Sequence, residues 1–436
     1  MGVTTFRDER WRPVRGVQEM AAEGRRVLVL SHMFPHPEQP GSGPFVLEQV
    51  QALRASGVDA RVICGRPYWM SRSPLRLPRS LWAFVRSIGE SRRQWWMLDG
   101  VPVRYVPYPI LAPFWSHGWS YRMAVRASLR NLRREFAPAL IHAHTGYLDG
   151  SAARMLAHAW EVPYVVTEHT GPFSILMNRS IIRRTTLGAI AGAARVVGVS
   201  RALLREVLDY LPGVQSTATV IPNVVDVDRF AVTPLADAKP EAPRLLFVGY
   251  FVEVKNIPLL LDAFAQVLAA KPLATLTLAG GGTTVAQTES VREDIARRGL
   301  QQAVCVRGWV PREEVAGLMR QSDMLVLQSR SETFGCVVTE ALATGRPVVA
   351  TRCGGPEDIV TESWLGALCD NNDPQALAQA ILDVADRLGT FDPQRMGAFT
   401  RDRFGAVSVA RRLIQLYEEV LLARQAPASQ QAASNP

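Results

Sequence analysis

Short apolar runs alternate along this chain with stretches whose apolar residues recur at helical spacing, which predicts strands and helices taken in turn. The first run, Arg26–Ser31 (RVLVLS), leads into a loop rich in Pro and Gly, with Pro35, Pro37, Pro40, Gly41 and Gly43, and then into a helical pattern over 45–55. Strand, glycine loop and helix in that order form a Rossmann opening. Further strands are expected at 60–64, 139–142, 164–167, 196–199 and 218–221. Residues 222–230 and 234–243 read as a connection, the latter poor in pattern and rich in Pro and Ala. A second series follows, with strands expected at 244–248, 274–279, 304–307, 324–327, 348–350 and 365–369 and helices at 257–269, 290–298 and 313–320. An amphipathic helix at 407–423 and a polar tail, 424–436, expected to be disordered, end the sequence. Alternation of this kind predicts α/β architecture with parallel sheets.

Length turns one sheet into two: 436 residues are too many for one ordinary core and fit two α/β domains of roughly 200 residues each. No apolar run approaches the roughly 18 residues needed to span a bilayer. Charges scattered from Arg7 to Glu19 without an apolar block argue against a secretory signal. Cys64, Cys305, Cys336, Cys353 and Cys369 are odd in number and lack C-x-x-C spacing, which suits reduced thiols. A cytoplasmic enzyme without a zinc site is expected.

Charge is unevenly spread. The net charge is +9, yet between Arg66 and Arg134 thirteen arginines stand against only Glu90 and Asp99, so this segment carries the whole excess. It also holds Trp69, Trp82, Trp95, Trp96, Trp115 and Trp119, six of the ten tryptophans. Basic residues interleaved with amphipathic aromatics predict contact with an anionic membrane surface. An arginine-rich solvated face over buried tryptophans is the plainer alternative. No nucleic-acid-binding motif accompanies the charge, so nucleic acid is not an expected partner.

The segment SRSETFGCVVTEALATGRPVVAT (329–351) lies between two expected strands, at the C-terminal edge of a sheet, where open α/β folds bind ligands. Gly335 stands where the backbone must turn into a helix starting at Cys336. Backbone N–H groups of Phe334, Gly335, Cys336 and Val337 at that helix start offer an anion site, and phosphate is the natural guest. A contact of this kind is worth only about 0.3–1 kcal/mol at an exposed place, so a diphosphate also needs a cation, which Lys255 in the loop after the 244–248 strand can supply. A carboxylate accepts from two vicinal hydroxyls, so Glu340 suits a ribose and Glu332, nearer the phosphates, the hydroxyls of a sugar. Two glutamates at one spacing recur by chance, and a surface loop with an exposed helix is the alternative. The Asp226-Val227-Asp228 triplet looks like a metal-binding D-x-D but lies in the connection and reads as structural. Gly280, Gly281 and Gly282 follow a strand and fit a close approach to a nucleotide or a plain turn. Histidines at strand ends, His142, His144 and His169, are more often hydrogen-bonded structural residues than catalysts.

The 329–351 segment resembles the E-x7-E signature of the family 4 retaining glycosyltransferases, of the bacterial envelope and exopolysaccharide type. The resemblance runs over nearly the whole chain: SHMFPHPEQPGSGPFVLEQVQAL, LIHAHTGYLDG, VVTEHTGPF, ARVVGVSRAL, IPNVVDVDRF, LLFVGYFVEVKN and VRGWVPREEV match the family's order and spacing. It implies a GT-B fold: two Rossmann-like domains facing across a cleft, an acceptor domain over 24–225 and a nucleotide-sugar domain over 240–405, with a C-terminal helix over 406–423 packing back on the first. It implies transfer from a nucleotide diphospho-sugar to a glycan or lipid-linked glycan with retained configuration and no metal, in the cytoplasm or at the inner face of its membrane. Residue by residue, Glu332 would contact the donor sugar, Glu340 the ribose, Lys255 and the amides near Gly335 the diphosphate, and Gly41 or Gly43 the diphosphate from the opposite domain. His169 would face the reacting sugar, and Gly308, Trp309 and Val310 would line the base. Tyr250 departs from the family pattern, where an arginine would assist Lys255; either a nearby arginine such as Arg330 compensates or the diphosphate relies more on the helix amides and Lys255. A GT-B epimerase and a non-catalytic nucleotide-sugar-binding protein are the alternatives, and UDP, GDP and ADP stay open as the nucleotide.

Overall fold

The computed structural model describes residues 10–14, 25–70, 77–91, 94–110, 117–129, 132–235 and 238–425. The expected disordered tail beyond 425 lies outside the described residues, as does Trp115. The chain divides into two compact units: residues 1–199, 203–221 and 409–436 form the first, 200–202 and 222–408 the second.

The first unit is built on a sheet of nine strands among the described residues: β1 (Trp11–Val14), β2 (Arg26–Ser31), β3 (Asp59–Trp69), β4 (Trp95–Leu98), β5 (Val101–Ile110), β6 (Leu140–His144), β7 (Tyr164–Glu168), β8 (Arg195–Gly198) and β9 (Ala218–Val220). Their order across the sheet is β1-β4-β5-β3-β2-β6-β7-β8-β9, parallel from β5 to β9 and antiparallel where β4 meets β1 and β5. Helices α1 (Pro44–Ala55), α2 (Leu77–Ser91), α3 (His117–Ser128), α4 (Leu132–Phe136), α5 (Ser151–Trp160), α6 (Ser180–Ala191) and α7 (Arg201–Tyr210) connect the strands. Central strands such as β2, β6 and β7 are buried on both faces, which is why they read as unbroken apolar runs.

The basic aromatic segment holds several of the elements that the hydrophobic pattern missed; β1 and the helices over 374–386 and 393–404 are others. Strands β4 and β5 and helices α2, α3 and α4 lie within it. In β5, VPVRYVPYPI, three prolines obscure a strand, because proline cannot donate to a ladder. Pro107 and Pro109 fall beyond the stretch that β4 covers, on a strand edge paired only with β3. The Ile110 C=O accepts from Met70 N–H on the β3 side, so residues 107 and 109, of opposite parity, turn their missing N–H to the open side. The tryptophans divide: Trp95 is buried under the guanidiniums of Arg61 and Arg104, whereas Trp69, Trp82 and Trp119 are exposed.

The second unit carries six strands: β10 (Arg244–Val248), β11 (Thr275–Ala279), β12 (Val304–Gly308), β13 (Met324–Leu327), β14 (Val348–Thr351) and β15 (Gly366–Cys369). All pair in parallel, in the order β12-β11-β10-β13-β14-β15. Helices α8 (Ile257–Ala270), α9 (Val285–Arg297), α10 (Arg312–Gln321), α11 (Cys336–Ala343), α12 (Pro356–Ile359), α13 (Pro374–Asp386) and α14 (Pro393–Phe404) complete it. The last helix, α15 (Ala406–Gln425), belongs from Val409 onward to the first unit, where Tyr417 hydrogen-bonds His142 Nδ1 at 2.6 Å.

One buried cation organises the second unit. Arg346, in the α11–β14 turn, is 2% exposed and faces carbonyl oxygens rather than a carboxylate. Its guanidinium donates to the C=O groups of Ser322, Thr344, Arg320, Thr233 and Pro234 and to Thr233 Oγ1, at 2.8–3.1 Å. Burial lowers its pKa to about 10, which leaves it charged at neutral pH. Arg346→Ala strands five backbone acceptors at once and is expected to destabilise this unit by about 3–5 kcal/mol in urea unfolding; Arg346→Lys, which cannot reproduce the fork, should recover less than half of that.

Candidate functional site

Strand order in the second sheet reverses between β10 and β13, and right-handed crossovers then place α8 and α11 on opposite faces. The loops leaving those two strands frame the crevice in which such sheets bind ligands. Lys255 comes from the β10 loop and Glu332 from the β13 loop, and their side chains form an ion pair. Ser329 Oγ donates to the same carboxylate oxygen at 2.6 Å. Gln328 Nε2 holds the Lys255 C=O at 2.7 Å, while its own Oε1 is buried without a partner.

The turn carrying Glu332 is fixed by backbone. Its N–H donates to Cys353 C=O and its C=O accepts from Gly355 N–H, both at 2.8 Å. A Cβ on Gly355 would lie 2.3 Å from Phe334 Cα, so only glycine lets these two stretches lie so close. Gly335 then turns into α11 in the left-handed region, with φ +92°, and no side chain caps the helix. Its positive end, formed by first-turn amides that include Cys336 and Val337, stands beside the Glu332 turn. Phe334 reaches a ligand only through its backbone, since its ring is buried against Phe404 at 5.8 Å. Asn223 Nδ2 contacts Cys336 Sγ at 3.6 Å and leaves its Oδ1 buried and unpartnered.

Glu340 is buried within α11 and pairs with Arg312, the first residue of α10. Burial raises its pKa above the ordinary carboxylate value, with Arg312 the main opposing influence. Arg312 was not singled out in the sequence, although it sits in VRGWVPREEV, where an arginine opening a helix after proline is the only trace of the pair. The same segment brings Gly308, Trp309 and Val310 to the end of β12. The exposed Trp309 ring meets Tyr250 edge-on at 4.5 Å, and a Cβ on Gly281 would lie 2.8 Å from Trp309 Nε1. Tyr250 is therefore part of an aromatic corner. Arg330 turns to the exposed Glu253 at 3.1 Å and not to the Lys255–Glu332 pair. The Asp226 carboxylate caps its own turn, accepting from Arg229 N–H at 3.0 Å. Among the described residues no group of three or more His, Cys, Asp or Glu side chains is arranged to hold a metal ion.

The first sheet reverses its order between β2 and β6, and the loops at this second switch point bring together His32 and Asp149 at 2.7 Å. Neither residue was expected from the sequence. Tyr121 OH and Thr145 Oγ1 also donate to Asp149, at 2.7 and 3.3 Å. Burial works against a charged His32, but the Asp149 charge and hydrogen bond, aided by Glu168, raise its pKa above the ordinary histidine value. His169 follows β7 and is 8% exposed; its Nε2 shares a proton with His144 Nδ1 at 2.9 Å, and its Nδ1 is buried without a partner. The Glu168 carboxylate accepts from the backbone N–H groups of Gly146, His169 and Thr170, which sets this loop. Phe45 rests on the His169 ring at 4.8 Å. Two residues earlier, Gly43 caps α1 at φ +56°, where a Cβ would strike Met33 C=O at 2.1 Å. A Cβ on Gly41 would meet nothing within 4 Å.

Two Rossmann-like units with mainly parallel sheets give the GT-B fold of the solved structures on which the chain superposes, and glycosyltransferase family models match both. A model described as Glycosyltransferase Family 4 matches residues 17–229, and one described as Glycosyl transferases group 1 matches residues 242–387. The chain is 32% identical over 314 residues to a D-inositol 3-phosphate glycosyltransferase of Corynebacterium jeikeium, covering 64% of this chain and 72% of that one. It is 28% identical over 370 residues to TuaC of Bacillus subtilis, named as a glycosyltransferase of teichuronic acid biosynthesis, covering 82% and 88%. The HepE structure from Anabaena in complex with UDP and glucose superposes with a TM-score of 0.68 at 18% identity, over 91% of this chain and 100% of that one. The chain belongs to glycosyltransferase family 4.

The buried histidines give the first unit a defined acid sensitivity. Burial lowers His142 and His169 to about 3 and His144 well below the ordinary 6.5. The unfolded chain therefore takes up protons first, and the stability these three contribute is present above pH 6.5 and lost as pH falls toward 3, at up to about 1.4 kcal/mol per pH unit each. His32, shifted upward, has the opposite sign. His142→Gln is expected to destabilise at pH 7.5 by about 1–3 kcal/mol, with the gap to the parent protein closing by pH 5 in urea unfolding; a constant gap would contradict the assignment.

Proposed function

We propose that this glycosyltransferase moves a sugar from a nucleotide diphospho-sugar to a hydroxyl of a glycan or lipid-linked glycan, with retained anomeric configuration, in cell-envelope polysaccharide synthesis. The observation that carries the reading is the Lys255–Glu332 pair beside the uncapped start of α11, with the buried Glu340 farther along the same helix. Lys255 and the α11 amides bind the diphosphate. Glu332, released from Lys255, accepts from hydroxyls of the transferred sugar. Glu340, whose raised pKa marks a carboxylate disfavoured by burial, accepts from the two ribose hydroxyls, which favours its ionised form. Trp309, Tyr250 and the backbone of 308–310 line the base.

Breaking the anomeric C–O bond leaves positive charge on the sugar and negative charge on the departing diphosphate. Lys255 and oriented amides act most on that developing charge, which is stabilisation of the transition state and not uniform binding. His169, in the first unit, takes the side of the reacting sugar, with His144 fixing which of its nitrogens carries the proton. The leaving phosphate deprotonates the acceptor on the same face, so the chemistry proceeds without a metal. The relatives named for inositol phosphate and teichuronic acid favour an acceptor that carries acidic groups. Among the described residues no helix is long and apolar enough to cross a membrane. The exposed face of α2, with Leu81, Trp82 and Val85 beside Arg79 and Arg86, suits a peripheral seat on the anionic inner face of the cytoplasmic membrane.

Lys255→Ala is expected to lower turnover by about 10²–10³-fold while the protein stays folded; unchanged turnover removes the diphosphate role. Glu340→Gln should act mainly on donor affinity, raising KM about tenfold or more, and turnover should survive EDTA. Thermal-shift titration with UDP, GDP and ADP identifies the nucleotide, and absence of stabilisation by all three would sink the donor-site reading.

A further inference from the structure

Helices α3, α5 and α6 of the first unit line a cavity of ≈ 600 Å³ that includes neither His169 nor the glycine loop. Arg122 from α3, Arg154 from α5 and Arg184 from α6 meet there, joined by Ser151, His158 and Thr185, and no acidic side chain is among the lining residues. Among the described residues none of the three guanidiniums pairs with a carboxylate. Like charges gathered around one cavity repel one another, and burial lowers the pKa of Arg122.

The position of Arg154 is built into the helix beside it. A Cβ on Gly188 would lie 2.7 Å from Arg154 Nη1, and one on Gly192 3.6 Å from Arg154 Nε. Gly188 lies inside α6 (Ser180–Ala191), where glycine weakens a helix relative to alanine. The bare strip of α6 is what lets the guanidinium lie against it. Three planar forks, with the Thr185 hydroxyl also in the lining, match the oxygens of a phosphate, which accepts from several donors at once and offsets more than one charge. The cavity is open to solvent, with Arg154, His158 and Arg184 exposed, so a phosphate can enter it while its carrier stays outside.

We infer that this cavity binds a phosphate group carried by the acceptor. The inference rests on the transferase reading, which supplies the acceptor, and it assigns the three arginines to acceptor choice and not to the chemical step. The phosphate has two sources, a soluble phosphorylated glycan or a lipid-linked one.

The test uses the full chain, with inositol hexakisphosphate as a soluble phosphate probe in calorimetry and phosphatidylglycerol vesicles in flotation. Arg154→Gln/Arg184→Gln should weaken binding of the soluble probe at least tenfold, while Arg292→Gln, at an exposed arginine of α9, leaves it within twofold. Gly188→Ala, which keeps all three cations and pushes Arg154 from its place, should weaken it severalfold without lowering the midpoint of thermal unfolding. Loss of both probe and vesicle binding in the double variant supports recognition of phosphate on either carrier, and loss of the soluble probe alone supports a soluble acceptor. Equal probe binding by parent and double variant overturns the inference, as does vesicle binding without any binding of the soluble probe. Nucleotide stabilisation and donor hydrolysis measured on the same variants report on the transferase reading separately.

Discussion

The reversal of strand order within each sheet is the constraint on which the rest of this protein depends. Where neighbouring strands send their crossover helices to opposite faces, their loops cannot be covered by a helix, and a crevice opens at the strand ends. In the second unit the crevice brings Lys255 to Glu332; in the first it brings His32 to Asp149. Charged groups drawn into such places need partners, because burial penalises charge. Each is supplied with one by the opposite loop, together with a hydroxyl donor, Ser329 in one case and Tyr121 in the other.

The backbone around these pairs is held more tightly than the side chains. Glu332 lies in a double hydrogen-bonded pass between its own turn and the Cys353–Gly355 stretch, and Arg346 ties the far end of α11 to five carbonyls. Helix α11 is thus fixed at both ends, with Gly335 at one and Arg346 just beyond the other. Glu332 and Glu340 keep their separation because the scaffold between them cannot shift. By contrast, Lys255 and Arg312 are long side chains that can exchange a carboxylate for an incoming group. A rigid frame bearing exchangeable cations fits the proposed binding of a charged donor and release of a more charged product.

The basic, aromatic part of the first unit serves several ends. Arg61 and Arg104 cover the buried Trp95 and so belong to the core. Trp82 is exposed on α2 beneath Arg86. Arg122 faces a cavity that it shares with arginines from two helices that lie outside this part of the chain. A count of arginines could not have separated these roles, because burial, stacking and convergence are decided by contacts made across the fold.

Much of the architecture was legible in the sequence because parallel strands buried on both faces must be apolar throughout. The runs at 244–248 and 324–327 coincide with β10 and β13 for that reason. Strand β5 was hidden by its prolines, two of which, Pro107 and Pro109, lie where the neighbouring edge is open. Gly335, Glu332 and Glu340 stood out through their spacing beside a strand end, and family membership follows from motifs in that order. What spacing cannot carry is the identity of partners drawn from distant positions. Arg312 reaches Glu340, His144 reaches His169 and Asp149 reaches His32 because sheet order brings their loops together. The sequence by itself determined most of the buried parallel strands and the glycine turn at Gly335, since hydrophobic period and turn chemistry are local. Only the tertiary structure decided which charges meet, since pairing depends on topology and on the penalty for leaving a buried charge alone.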